Sequence, residues 1–192
     1  MHAVKILTNE VLSHFRYVLR KVTYVSTRKD GMEKQQTREV YDRGNGATFL
    51  LYNPVAATIV LTRQFRLPTF LNGNKTGMLI EACAGLLEKE SPEESIRRET
   101  EEETGYKISS PKKIMEMYMS PGSVSEILYF FVAEYSEQMK VGEGGGLEEE
   151  NEDIEVLEMP FAKALAMVRS GEIRDAKTIL LLQYAQLNEL IP

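Results

Sequence analysis

Runs of β-branched and aromatic residues, interrupted by glycine and proline, set the order of elements along this chain. The first run, FRYVLRKVTYVST at 15–27, predicts a strand, the Asp30-Gly31 pair a turn, and 33–41 a return strand. This hairpin is poorly hydrophobic for a core element. An isolated hairpin is marginal in water, so it needs either the main domain or a second subunit to pack on. Asn45-Gly46 then turns the chain into strands over 47–52 and 58–65. A loop holding Pro, Asn and Gly covers 67–77, and 78–82 returns to extended structure. Strands over 113–118 and 125–135 flank Ser120-Pro121-Gly122, and 154–159 supplies the last strand. Pro160 opens a helix with apolar spacing at Phe161, Leu165 and Val168 that ends at Gly171, and Asp175 caps a final helix to about residue 189. Strands with interspersed helices predict an α/β sandwich.

The pattern is sharpest from Gly85 to Tyr106, GLLEKESPEESIRRETEEETGY. Ser91 and Glu94 make a capping box around Pro92 at the first helical position, and Gly105 is free to adopt the left-handed conformation just past the helix end. On that helix Glu99, Glu102 and Glu103 share an arc of roughly 100°, while Glu101 points away. Three carboxylates thus crowd the end where the helix dipole disfavours negative charge, each like-charge pair costing about 0.2–0.5 kcal/mol. Arg97 and Arg98 offset part of that cost. A solvated acidic face would tolerate the remainder. A hard divalent cation such as Mg²⁺, held by carboxylate oxygens and substrate phosphates, would remove it.

With 43% hydrophobic and 27% charged residues, the 192-residue chain has the make-up of a globular protein able to bury one core, with a small appendage. A net charge of −6 argues against nucleic acid as a partner, since phosphate-backbone binding needs clustered cation. It leaves room for a phosphate-bearing substrate, because bound metal inverts the local charge. The single Cys83, between two alanines, has the setting of a small buried residue and excludes an intramolecular disulfide. The longest apolar run, 127–133, is too short to span a bilayer, and MHAVKILTNE lacks the apolar segment and cleavage site of a signal peptide. No membrane association and a cytoplasmic location are the expectations.

The residues Arg98-Glu99-Thr100-Glu101-Glu102-Glu103-Thr104-Gly105-Tyr106, with Glu90 and Gly85 before them, resemble the signature of the Nudix hydrolases. That resemblance implies a Mg²⁺-dependent enzyme that cleaves a nucleoside diphosphate joined to another group. It implies a Nudix α/β/α sandwich with a mixed central sheet over 44–192, and an N-terminal β-hairpin extension over 1–43 that serves dimerisation. Two departures show: Gly85 to Glu90 is one residue short, and Thr100 stands where an aliphatic residue is usual. REVYDRGNGAT (38–48), RQFR (63–66), NGN (72–74), YMSPG (118–122), the Gly-rich acidic loop and GEIRDAKT (171–178) are together similar to the GDP-mannose pyrophosphatase branch. RQFR and the downstream proline are shared with the ADP-ribose and ADP-sugar pyrophosphatases, which makes these the alternative. A Nudix-fold nucleotide-binding module without turnover is the alternative of another class.

Carried over residue by residue, the resemblance implies metal ligation by the Ala84 carbonyl, Glu99, Glu102, Glu103 and Glu152, with Glu103 and Glu152 catalytic. It implies substrate binding by Arg66, Ala84, Gly85, Leu86, Glu103, Glu126, Asn151 and Lys177. In a homodimer whose hairpins reach across, Thr37, Arg38 and Glu39 would also hold the nucleotide. Arg16 falls where relatives place an aromatic, leaving Tyr17 or the guanidinium plane itself to stack on a base. Two readings stand on the residues themselves. Alternation puts Arg63 and Arg66 on opposite faces, and one guanidinium near metal matches diphosphate oxygens. Lys177 sits in the first turn of the last helix, where a cation gains nothing from the dipole. In the loop 142–153, glycines 142 and 144–146 predict mobility, and Glu148, Glu149, Glu150, Glu152 and Asp153 supply charge. A mobile carboxylate there could take a proton from attacking water. Glu152 is the aligned choice, with Glu149 and Glu150 as substitutes.

Overall fold

A computed structural model describes residues 3–87, 89–147, 149 and 152–192. It falls into two compact units. One comprises the described residues up to Asn45 together with Tyr118–Ile127. The other comprises Gly46–Met117 and Leu128–Pro192.

The first unit is built on an antiparallel sheet in the order β1 (Val4–His14), β2 (Val18–Thr27), β3 (Glu33–Asp42). The expected hairpin is present as β2 and β3, joined through Gly31 at φ 80°. Strand β2 begins three residues later than expected, and β1 was not expected at all. The cause is visible in its register: shifts between Ile6 and Thr8 and between Val11 and Ser13 break the two-residue alternation that marks a strand. Tyr41 continues the unit by bridging Val124 in parallel, its N–H bonding the Ser123 carbonyl at 2.8 Å.

In the second unit a mixed sheet runs in the order β10 (Glu155–Pro160), β5 (Thr58–Phe65), β4 (Gly46–Asn53), β9 (Ile127–Glu134), β8 (Lys112–Tyr118). Strand β6 (Met78–Glu81) pairs with β5, and β7 (Ala84–Leu86) pairs with β4. The β4–β9 pair is parallel, and β4–β5, β5–β10, β5–β6 and β4–β7 are antiparallel. Alternation along the central strands builds two buried faces. Ala47, Phe49, Leu51, Val60, Phe131 and Ala133 share a cluster with Ile96 of helix α2 (Pro92–Thr104). Leu50, Ile59, Leu61 and Phe130 are equally buried on the other face, and helix α4 (Ala176–Leu187) packs against β4. This is the expected α/β/α layering. Helix α1 (Leu67–Leu71) occupies part of the stretch expected to be loop, and α3 (Phe161–Ser170) ends at Gly171 at φ 79°. A polar network runs from the buried tyrosines to the surface: the Tyr135 and Tyr106 hydroxyls donate to the exposed Glu158 at 2.8 and 3.1 Å, and Thr58 meets Tyr135 at 2.6 Å.

Candidate active site

Helix α2 starts and stops where local chemistry requires. Ser91 Oγ accepts from Glu94 N, the Ser91 N–H donates back to Glu94 Oε2 at 2.9 Å, and Gly105 takes φ 76°. Thr100, at the usual aliphatic position, is fully buried and its hydroxyl donates to the Ile96 carbonyl at 2.5 Å. A threonine is accommodated there because the helix itself satisfies its hydroxyl.

Arg98 holds the acidic face together. It bonds Glu90 at 2.7 Å, Glu102 at 2.7 Å and Glu99 at 2.9 Å. Arg97 turns away to Glu93 and the Ser109 carbonyl, and Glu101 to Lys107. The Glu99 carboxylate lies against β7 where Gly85 leaves room, since a Cβ at Gly85 would run into Glu99 Oε1. Burial raises the Glu99 pKa to about 7. Arg98 opposes that rise, while Glu102 and Glu152 add to it.

Glu103 is only 2% exposed. Its Oε2 has no hydrogen-bond partner among the described residues, and the Cys83 thiol bonds the same carboxyl. Burial pushes its pKa up to about 8. The Cys83 contact lowers it, and the charges of Glu99, Glu152 and Glu81 raise it further.

The Gly-rich loop folds onto the C-terminal end of this helix. Gly145 N donates to the Glu103 carbonyl at 3.0 Å, Gly146 N to that of Glu102 at 3.2 Å, and Val141 N to that of Gly105 at 2.8 Å. Gly144, at φ 71°, packs so tightly that a Cβ would collide with the Glu103 carbonyl. The glycines expected to give mobility therefore act here as a cap for orphan carbonyls. The loop brings Glu152 beside Gly146, with its Oε2 accepting from Leu147 N at 3.2 Å, and its charge reaches both Glu99 and Glu103.

A second cluster contains Glu81, also only 2% exposed. Arg66 Nε bonds its Oε1 at 2.6 Å, and Lys177 Nζ bonds its Oε2. Asp175 Oδ2 lies 3.1 Å from the same Lys177 nitrogen and caps α4 by accepting from Thr178 N at 3.0 Å. Thr178 Oγ1 accepts from Ala82 N at 2.6 Å, tying the start of α4 to the backbone that leads into β7.

The residues of 42–182 match the NUDIX domain family model. The chain belongs to the Nudix family. Residues 3–41 match the model described as GDP-mannose pyrophosphatase NudK N-terminal domain. GDP-mannose pyrophosphatases of Shigella dysenteriae serotype 1, Escherichia coli O157:H7 and Escherichia coli O1:K1 are each 53% identical to it over 188 residues, covering 98% of this chain and 97% of theirs.

In this Nudix protein the second unit gathers Ala84, Gly85, Leu86, Glu99, Glu102, Glu103 and Glu152 around α2 and β7, and Arg66 and Lys177 around Glu81. Asn151, Glu148 and Glu150 lie outside the described residues, and Glu149 is exposed. Arg16, Thr37, Arg38, Glu39 and Glu126 belong to the first unit. There Thr37, Arg38 and Glu39 are exposed on β3, with Thr37 bonded to Thr23 at 3.0 Å. Arg16 lies 5.6 Å from the Tyr17 ring centre, Arg43 lies 5.7 Å from it, and Arg43 approaches Glu126 at 3.5 Å. Sequence reasoning missed Arg43 and Glu81. An acidic residue at an otherwise apolar inward position of 78–82 was the available signal for Glu81.

Among the described residues no three Asp, Glu, His or Cys side chains form a ready metal cage, and Arg98 engages Glu99 and Glu102. The donors nevertheless suit a hard divalent cation. They are carboxylate oxygens, one of them buried and unpartnered, and two of the carboxyls have raised pKa values that a cation would reverse.

Proposed function

We propose that this Nudix protein hydrolyses GDP-mannose to GMP and mannose 1-phosphate with Mg²⁺. The observation that carries the hydrolase reading is the buried, unpartnered Glu103 oxygen beside Glu99 and Glu152. The choice of nucleotide sugar rests on the printed names of relatives that span nearly the whole chain. Glu99, Glu103, Glu152 and the Ala84 carbonyl would hold the metal, with Glu102 as ligand or helper. Bound there, Mg²⁺ supplies electrostatic stabilisation of charge developing on the phosphoryl oxygens. Arg66 and Lys177 bind and orient the diphosphate. Water adds to one phosphorus, the bridging P–O bond breaks, and Glu152 takes the water's proton.

The substrate set of the first unit, Arg16, Thr37, Arg38, Glu39 and Glu126, completes the site in a homodimer. All of β1 is exposed, including Val4, Ile6, Leu7, Val11 and Leu12, an apolar surface suited to a second copy. The division into 1–43 and 44–192 belongs to this reading, as does a cytoplasmic enzyme that binds neither nucleic acid nor membrane. No helix among the described residues is long and apolar enough to cross a membrane.

Parallel initial rates on GDP-mannose and ADP-ribose, with Mg²⁺ and with chelator, test the reading. Metal-dependent release of GMP and mannose 1-phosphate, faster than ADP-ribose turnover, is expected. Faster ADP-ribose turnover would reassign the substrate, and no turnover of either would leave a binding module.

A further inference from the structure

We infer that Glu81 is the positioning residue for the diphosphate-binding cations, one carboxylate that sets the separation and direction of both Arg66 and Lys177. The inference rests on the assignment of those two cations to substrate.

The arrangement is specific. Each Glu81 oxygen serves a different cation, Oε1 taking Arg66 Nε and Oε2 taking Lys177 Nζ. Glu81 itself is closed to solvent, whereas the Arg66 side chain is 39% exposed and that of Lys177 12%. The anion is thus held at the back while the guanidinium keeps an open face. Arg66 uses Nε toward Glu81, which leaves its two terminal nitrogens unused by this contact and suited to phosphate oxygens.

The support beneath Glu81 is equally fixed. It ends β6 in register with Thr62 of β5, and the Thr62 hydroxyl donates to the Glu81 carbonyl at 3.2 Å. One residue later Ala82 N is bound by Thr178 of α4, the helix that carries Lys177. Strand and helix are therefore locked together on either side of the pair. Lysine has a flexible stem, and two cations placed side by side repel. Without the shared carboxylate, Arg66 would lose its Nε partner and Lys177 would keep only Asp175, so nothing would fix their separation, and binding a diphosphate would then require ordering them against each other again.

The test compares wild type, Glu81→Gln, Lys177→Met and the double variant. It uses kcat and KM for GDP-mannose with Mg²⁺, and equilibrium binding of GDP without turnover. Thermal melting confirms that each variant is folded, and Glu81→Asp gives a second variant that retains the charge while shortening its reach. Glu81→Gln is expected to raise KM and the Kd for GDP about 10-fold or more with kcat changed much less. In the Lys177→Met background the same substitution should cost only a few-fold, because one of the two groups it positions is gone. Glu81→Asp should weaken GDP binding less than Glu81→Gln. Unchanged GDP binding in folded Glu81→Gln, or fully additive effects with Lys177→Met, would overturn the inference. So would a collapse of kcat at constant KM, which would make Glu81 part of the reacting centre. Should wild type fail to hydrolyse GDP-mannose, the substrate reading fails by itself, and GDP binding still decides the role of Glu81.

Discussion

Glu81 and Glu103 are buried to the same degree, yet their surroundings are opposite. Glu81 ends a strand and has a cation on each oxygen, whereas Glu103 sits on a helix among other carboxyls with one oxygen unpartnered. Burying a charge is costly unless it is paired and hydrogen-bonded, so the first is a completed structural contact and the second is not. The pKa of about 8 at Glu103 expresses that incompleteness. Burial alone therefore does not mark a functional carboxylate. What marks it is burial without a partner, in a place where a cation from solution can supply one.

The largest expected effect breaks the comparison at Glu103. Glu103→Gln should lower kcat by about 10³-fold or more, the equivalent of about 4 kcal/mol of transition-state stabilisation. Wild-type rates at saturating Mg²⁺ would show that the metal site lies elsewhere. Next is the loop carboxylate. Glu152→Gln should lower kcat by about 10²–10³-fold with little change in KM, while Glu149→Gln stays within a few-fold of wild type. If Glu149→Gln is instead the crippled variant, the base has been assigned to the wrong residue.

Stability should sort the two buried glutamates in the opposite direction. In metal-free protein Glu103→Gln replaces a largely protonated carboxyl by a neutral isostere, and its melting temperature should hold or rise. Glu81→Gln leaves two cations sharing an amide, and should cost roughly 2 kcal/mol, less than a fully buried pair because Arg66 is partly exposed. Equal losses in chemical denaturation would erase the distinction between the sites.

What the sequence made legible was local. Ser91, Glu94, Pro92 and Gly105 fix α2 within its own 15 residues, and the helical repeat then places Glu99, Glu102 and Glu103 without tertiary information. What stayed hidden depended on distance or irregularity. Glu81 is defined by partners 15 and 96 residues away. Strand β1 loses its alternation to two register shifts, β7 is three residues long, and α1 is five. Glycines 144–146 read from composition as freedom to move, and the structure adds a second role for them. Their positive φ and close approach to α2 describe a cap, which no count of glycines distinguishes from a hinge.

The pH dependence of stability separates the two glutamates without any substrate. The folded-state pKa of Glu103 is about 8 against an ordinary value of 4.5, and that of Glu99 is about 7. Between those limits the folded protein keeps protons that the unfolded chain has released. Stability of the metal-free protein is therefore greatest below pH 4.5 so far as these groups are concerned, and falls as pH rises toward 8. Each group contributes a slope of at most about 1.4 kcal/mol per pH unit. Added Mg²⁺ favours the ionised carboxyls, so its stabilisation should be larger at the alkaline end of this window than at the acid end. Denaturant titrations in chelator between pH 5.5 and 8 would read the slope directly. Glu103→Gln should abolish the slope between about pH 7 and 8 and leave the part below pH 7 that Glu99 contributes, whereas Glu81→Gln, which removes only one of several charges that raise the Glu103 pKa, should keep part of the slope above pH 7. A slope between pH 7 and 8 that is undiminished in Glu103→Gln, or stability that climbs with pH, would show that the unpartnered oxygen is not what distinguishes this site.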